Sequence, residues 1–152
     1  MDWKSLFFTA EGRIGRQTFW IGWLMLLGAH VIAGWVPLIG WMVGLAATFA
    51  GVCIYSKRLH DMGRTGWWQV LPILLGPVLV FASALSIGVG AIIADLTNGD
   101  AGFAALAGIG GLFVSLAIAT VAVIGFTVWV GLTEGQAGEN RYGEPPLTPV
   151  LV

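Results

Sequence analysis

Apolar residues occupy four long runs, 18–35, 38–56, 67–94 and 103–132, and polar residues are confined to the stretches between and around them. A hydrocarbon core about 30 Å thick takes roughly 20 helical residues per crossing, so each run is long enough to form one transmembrane helix. Ahead of the first run, Trp3, Leu6, Phe7 and Ala10 recur at helical spacing while Lys4 and Glu11 fall off that stripe. This pattern predicts a short helix lying at the membrane surface within residues 1–17. Gly12 and Gly15 interrupt it, and Pro37 marks a tight turn between the first two runs. The expected fold is an all-α polytopic membrane protein with four transmembrane helices, in which residues 1–152 form a single membrane domain and residues 133–152 a polar tail.

Two runs carry small residues at four-residue spacing: Gly40, Gly44 and Thr48 beside Ala47 and Gly51 in the second, and Ala107, Gly111, Ser115 and Ala119 in the fourth. Such stripes let helices approach closely, either within one bundle or between copies, and internal packing is the favoured expectation. Pro72 and the pair Gly76–Pro77 predict that the third run is not a straight crossing, because proline removes a backbone donor and frees a carbonyl.

Charge then orients the pattern. All seven Lys and Arg residues lie in alternate connections: Lys4, Arg13 and Arg16 before the first run, Lys57, Arg58 and Arg64 between the second and third, and Arg141 after the fourth. Asp95 and Asp100 mark the connection between the third and fourth runs. Cationic connections are retained in the cytoplasm, so both termini are expected inside. A 57% apolar and 10% charged composition excludes an ordinary soluble domain. Charges followed by an apolar stretch also invite a signal-peptide reading, but Phe19, Trp20 and Trp23 open that stretch and no convincing A-x-A site follows. The first span is therefore expected to stay in the mature protein. Cys53, the one cysteine, excludes an intrachain disulfide and reads as a small packing residue.

Three polar clusters share the cationic side: Glu11, Arg13 and Arg16; Lys57, Arg58, His60, Asp61 and Arg64; and Glu139, Asn140, Arg141, Tyr142 and Glu144. Arginine presents a planar fork of donors suited to carboxylate or phosphate oxygens. One reading makes Arg13, Arg16, Arg58 and Arg64 a site for an anionic ligand or lipid head group; the other gives them only topology and general attraction to anionic lipid. Glu11, His60, Asp61, Trp67, Trp68, Asn140 and Tyr142 complete an expected cytoplasmic cap. His60 beside Asp61 suggests acid–base chemistry, yet neighbours in sequence on a helix do not face one another, and a structural hydrogen bond is the favoured role. His30 is the one imidazole within a run, a candidate intramembrane polar site whose simpler role is a bond to a helix neighbour. Trp3, Trp20, Trp67 and Trp68 at one interface and Trp35 and Trp41 at the other fit head-group anchoring. No phosphate-binding loop, zinc-protease motif, dinucleotide fingerprint or nucleic-acid module is present, so no catalytic residue, metal or cofactor is assigned.

Gly12, Arg13, Arg16, Phe19 and Trp20, then Arg58, Leu59, His60, Asp61, Gly63, Gly66, Trp67 and Trp68, and finally Asn140, Tyr142, Gly143 and Pro146 carry a resemblance. Read as G-R-x-x-R-x-x-F-W, R-L-H-D-x-G-x-x-G-W-W and N-x-Y-G, they are similar to the small bacterial inner-membrane family called domain of unknown function 805. Lys57 stands where that family often has Arg, and Thr65 where Ser is common. The resemblance implies a multi-pass bacterial inner-membrane protein and supplies no catalytic residues. The expected protein is non-enzymatic, with membrane lipids, anionic phospholipid among them, as partners and with self-association through a Gly-rich face. A small oligomeric channel or transporter and a lipid-processing enzyme are the alternatives.

Overall fold

The computed structural model describes residues 3–36, 39–97, 99 and 101–146. Pro37 and Leu38, Asp100, and the tail beyond residue 146 lie outside the described residues, so the turn expected at Pro37 is not described. Among the described residues five α-helices follow in order: α1 (Trp3–Phe8), α2 (Arg16–Gly34), α3 (Gly40–Asp61), α4 (Val70–Leu96) and α5 (Ala101–Leu132), with a 3₁₀ turn at Gly66–Gln69 leading into α4. Among the described residues there is no β-strand, only an isolated bridge between Asn140 and Gly143. Residue contacts divide the chain into two units, residues 1–69 with 128–152, and residues 70–127.

In the first unit, α1 and α2 pack on α3. The stripe of α3 that turns inward is Ala47, Ala50, Cys53 and Ile54, all buried, with Gly51 against Leu26. At its start, Gly40 approaches the Ala33 backbone so closely that no β-carbon fits. Gly44 and Thr48 face open space instead, and the Thr48 hydroxyl turns back onto the Gly44 carbonyl at 2.8 Å. Phe19 of α2 is fully buried, edge-on to the rings of Trp20 and Tyr55. Trp20 covers Gly131 near the end of α5, where a side chain would collide with the indole.

The second unit is a pair of helix segments with little buried surface. Ser83 of α4 and Ser115 of α5 share a hydroxyl–hydroxyl bond of 2.7 Å. Gly108 lies under Ile87, and Gly76 lies near Ala119. Of the stripe expected in the fourth run, Ser115 and Ala119 make these contacts, whereas Gly111 meets nothing. Pro72 sits in the first turn of α4, where a missing donor is harmless, and Pro77 lies inside that helix. Bulky apolar side chains such as Phe81, Phe113 and Val121 point outward, 66%, 70% and 70% exposed. In water such surface would be costly; in lipid it is the expected exterior.

Among the described residues, three helical stretches are long and apolar enough to cross a membrane: Arg16–Gly34, Gly66–Leu96 and Ala105–Leu132. Helix α3 differs from the expected run 38–56 because it does not stop before the basic cluster. It continues through Lys57, Arg58, His60 and Asp61, so its last turns carry charge. Its stop is a Schellman motif: Gly63 adopts φ +71°, its N–H bonds the His60 carbonyl at 2.9 Å, and the Arg64 N–H bonds Leu59 at 2.8 Å. That extra turn carries Arg58 and Asp61 into the interior.

Candidate functional site

Within the first unit, the end of α3, the loop before α2, the end of α5 and the segment 133–143 meet around one carboxylate. Asp61, the last residue of α3, has a side chain only 4% exposed, and each of its oxygens serves a different arginine. Arg13 gives Nε and Nη2 to Oδ1 at 3.1 and 3.0 Å. Arg58, one helical turn before Asp61, gives Nη1 to Oδ2. A carboxylate at a helix C-terminus opposes the helix dipole, and two guanidiniums offset that penalty.

The remaining donors of both arginines go to backbone carbonyls. Arg13 Nη1 donates to Gly138 at 2.7 Å and Gly143 at 3.1 Å, and Nη2 donates to Gln136 at 2.6 Å. With the two bonds to Asp61, all five guanidinium N–H groups are used. Arg58 donates Nε to Val130 at 3.0 Å, Nη2 to Thr133, and Nη1, at a long 3.5 Å, to Ile14. Burial pushes the Arg58 guanidinium below its ordinary pKa, Asp61 opposes that shift, and the nearby Arg16 charge adds to it. Among the described residues, no buried side-chain nitrogen or oxygen lacks a hydrogen-bond partner.

The last carbonyls of a helix have no partner within it. Helix α5 has no basic residue in its own last turn, and arginines from elsewhere serve it. Arg58 takes Val130, Arg16 takes Leu132 at 3.4 Å, and Thr133 turns its N–H and hydroxyl onto Trp129 at 3.0 and 2.7 Å. The segment after α5 is held in turn by α3. The Gln136 N–H donates to the Asp61 carbonyl at 2.8 Å, and Asn140 Nδ2 donates to His60 O and Gln136 Oε1, each at 3.0 Å. Asn140 also accepts the Tyr142 N–H at 2.9 Å and exchanges backbone bonds with Gly143, whose φ of +113° closes the turn.

His60 and Asp61 point to different partners. The His60 Nδ1–H donates to the Gly12 carbonyl at 3.3 Å, and the ring stacks on Tyr142 with centroids 3.8 Å apart and planes 6° from parallel. Arg141 lies over the other ring of this stack, its Cζ 4.7 Å from the Tyr142 centroid. Burial pushes the His60 pKa down, the Gly12 bond raises it, and the Arg141 charge lowers it. Among the described residues no hydrogen bond joins this imidazole to the carboxylate beside it, whose two oxygens both face arginines.

The four arginines expected to line one anionic site thus divide. Arg13 and Arg58 are engaged inside the cluster by acceptors of the protein itself. Arg16, with a side chain 53% exposed, lies 3.6 Å from Glu134. Arg64 is exposed and lies over Trp68 and Trp129. Glu11 is exposed outside the cluster, as is Trp67, at 78%. His30 is remote from it, with Nδ1 2.9 Å from the Leu26 carbonyl one turn earlier. Lys57 is buried, not a surface cation, and its ammonium donates to Ser5, fastening α1 to α3.

The residues that carried the family resemblance therefore fall in and around one cluster. A family model described as a protein of unknown function, DUF805, matches residues 7–144. The chain belongs to this family. A relative is found in Escherichia coli strain K12, an uncharacterized protein called YiiR, 28% identical over 95% of this chain and 90% of its own length. The YiiR of Escherichia coli O157:H7 matches equally well. No solved structure matches. Family membership and the apolar helices together make the chain a membrane protein of unknown function.

Sequence reasoning missed the partners that matter most to this DUF805 cluster. Gln136, Gly138, Val130 and Thr133 contribute carbonyls, which every residue possesses and no side-chain motif announces. Gly135 was also missed: its position lies so close to the Asp61 carboxylate that a β-carbon would overlap it. The one available signal was the density of glycines at 135, 138 and 143 in an otherwise polar tail.

Proposed function

We propose that this protein is a non-enzymatic, four-pass bacterial inner-membrane protein with both termini in the cytoplasm. In this reading α3 is the fourth crossing, its uncharged part running from Gly40 to Ser56. The buried cluster around Asp61 is a cytoplasmic cap that closes the helix ends, and the exposed cations at its edge bind anionic phospholipid head groups. The observation that carries the structural half is the saturation of Arg13: two bonds to Asp61 and three to carbonyls at 136, 138 and 143 leave it a clasp. The lipid half is supported by the position of Arg16 and Arg64 at the ends of apolar helices, where each cation near an anionic surface contributes about 1 kcal/mol.

Two measurements test this reading. With Cys53 replaced by Ala, single cysteines at Thr97 and Glu139 should be labelled from opposite sides of the membrane; labelling from the same side would remove the four-pass topology. Native mass spectrometry of gently extracted protein should show retained phosphatidylglycerol in preference to phosphatidylcholine, and equal or absent retention would remove the lipid half. Self-association also belongs to this reading. The exposed surface of α4 and α5, with open space over Gly88, Gly110, Gly111 and Gly125, is what close contact between copies requires.

A further inference from the structure

We propose that Arg64, lying across the indoles of Trp68 and Trp129, is the phosphate-binding group of a discrete anionic phospholipid site, with Arg16 as its second cation. The proposal rests on the lipid-binding reading above and names the residues and the ligand group. Arg64 differs in kind from Arg13 and Arg58. Its Cζ lies 4.7 Å from the Trp68 ring centroid and 5.1 Å from that of Trp129, two rings 6.2 Å apart and inclined by 48°. The guanidinium is therefore held over a notch of two aromatic faces, which attract the cation without using its donors. Among the described residues no hydrogen bond or ion pair engages it. A guanidinium held by cation–π attraction keeps its N–H donors for an acceptor, and its planar fork matches two phosphate oxygens.

Location selects the source of the phosphate. Trp68 lies in the first turn of the apolar stretch Gly66–Leu96, and Trp129 in the last turn of Ala105–Leu132. Arg16 opens the first stretch, Arg16–Gly34, and its Nη1 reaches the Leu132 carbonyl at 3.4 Å, one turn beyond Trp129. The two exposed arginines thus flank the final turn of α5, where apolar helix gives way to polar chain. That is the depth of a head group, and indoles favour it for the same reason. The pre-set position of Arg64 lowers the ordering cost that a flexible surface cation meets on binding. Inorganic phosphate has the same oxygens but no acyl chains to lie beside Trp67, Trp68 and the apolar helix ends.

The test uses the full chain in detergent micelles, with native mass spectrometry after addition of phosphatidylglycerol, phosphatidylcholine or inorganic phosphate in separate arms. Wild type should retain phosphatidylglycerol, and Arg64→Ala should weaken that retention about five- to tenfold. Arg64→Lys, which keeps the charge but loses the planar fork, should weaken it nearly as much, while Arg141→Ala should leave it unchanged. Thermal melting confirms that each variant is folded, and Arg64→Gln serves where Arg64→Ala is not. Wild-type retention by Arg64→Lys, or equal losses in Arg64→Ala and Arg141→Ala, would reduce the site to charge alone and overturn the proposal. Arg64-dependent binding of inorganic phosphate as strong as that of phosphatidylglycerol would overturn the lipid assignment. If wild type holds phosphatidylglycerol and no Arg64 variant changes it, this proposal fails and the general reading stands; if wild type holds none, both fail.

Discussion

Arg13 and Asp61 stand 48 positions apart and meet through two hydrogen bonds to a single oxygen, Nε and Nη2 on Oδ1 at 3.1 and 3.0 Å. Because Arg13 uses one carboxylate oxygen only, Oδ2 is left for Arg58. One anion thus holds two guanidiniums, each with a side chain 1% exposed. The arrangement is sensitive to loss of the anion, since a buried charge without its partner costs about 3–5 kcal/mol. Asp61→Ala should lower the melting temperature of the purified protein steeply. Asp61→Asn should recover only part of the loss, because it offers one acceptor and turns an N–H₂ group toward a donor. A melting curve for Asp61→Ala superimposable on wild type would refute the structural role of the cluster.

Glycine substitutions separate backbone strain from crowding. Gly63→Ala places a β-carbon at φ +71° and against the Gln136 side chain, with about 1–2 kcal/mol expected for the left-handed conformation alone. Gly135→Ala acts by overlap with the Asp61 carboxylate and should cost more, since the acid cannot move without abandoning an arginine. Gly138→Ala, at φ +93° with open space around it, should show the strain and nothing else. Denaturation of the three variants in one detergent would rank them; Gly135→Ala as the mildest would contradict the geometry.

His60 gives the tail a pH dependence of defined sign. Its folded-state pKa is lowered from an ordinary value of 6.5, burial being the largest cause, so the folded protein favours the neutral ring. A depressed value means that the stabilisation is complete above 6.5 and is lost as pH falls through the folded-state value. Amide exchange in the segment 139–144, corrected for the intrinsic effect of pH, should therefore quicken on acidification. His60→Gln should abolish that response, and His30→Gln should preserve it. Exchange that slows on acidification would reverse the sign and reject the assignment.

The Ser83–Ser115 bond should be weak despite its 2.7 Å length. Polar pairs between membrane helices average about 0.6 kcal/mol and reach about 1.7, because the separated helices also find partners. A double-mutant cycle on Ser83→Ala and Ser115→Ala should fall in that range. A coupling well above it would mean that this bond organises the second unit.

The extent of the apolar helices was legible because lipid-facing helices are apolar on every side and need no periodic signal. Polar positions at helix ends were harder. Sequence placed Lys57 and Arg58 in a basic connection, yet the stop for α3 is Gly63, and one more turn of helix carries both cations inward. That Arg13, Arg58, Asp61, Asn140 and Tyr142 belong together was readable from their shared side of the apolar runs. Their division of labour was not. Whether an arginine clasps carbonyls or faces outward depends on which backbone groups lie within reach, and Arg13 and Arg64 carry the same side chain into opposite roles.

The acceptors of Arg13 lie at residues 61, 136, 138 and 143, the last three after the final apolar run. All the apolar runs have therefore been synthesised before every donor of this guanidinium can be satisfied. Until Asp61 has been made, Arg13 is an uncompensated cation ahead of α2, the state in which arginine governs which way a helix is threaded. Only once residues 136–143 have been made can the same guanidinium be saturated. One side chain can thus serve first as an instruction for insertion and afterwards as a lock on the inserted form, and an Arg13→Gln protein made and purified in the correct orientation would lack only the second.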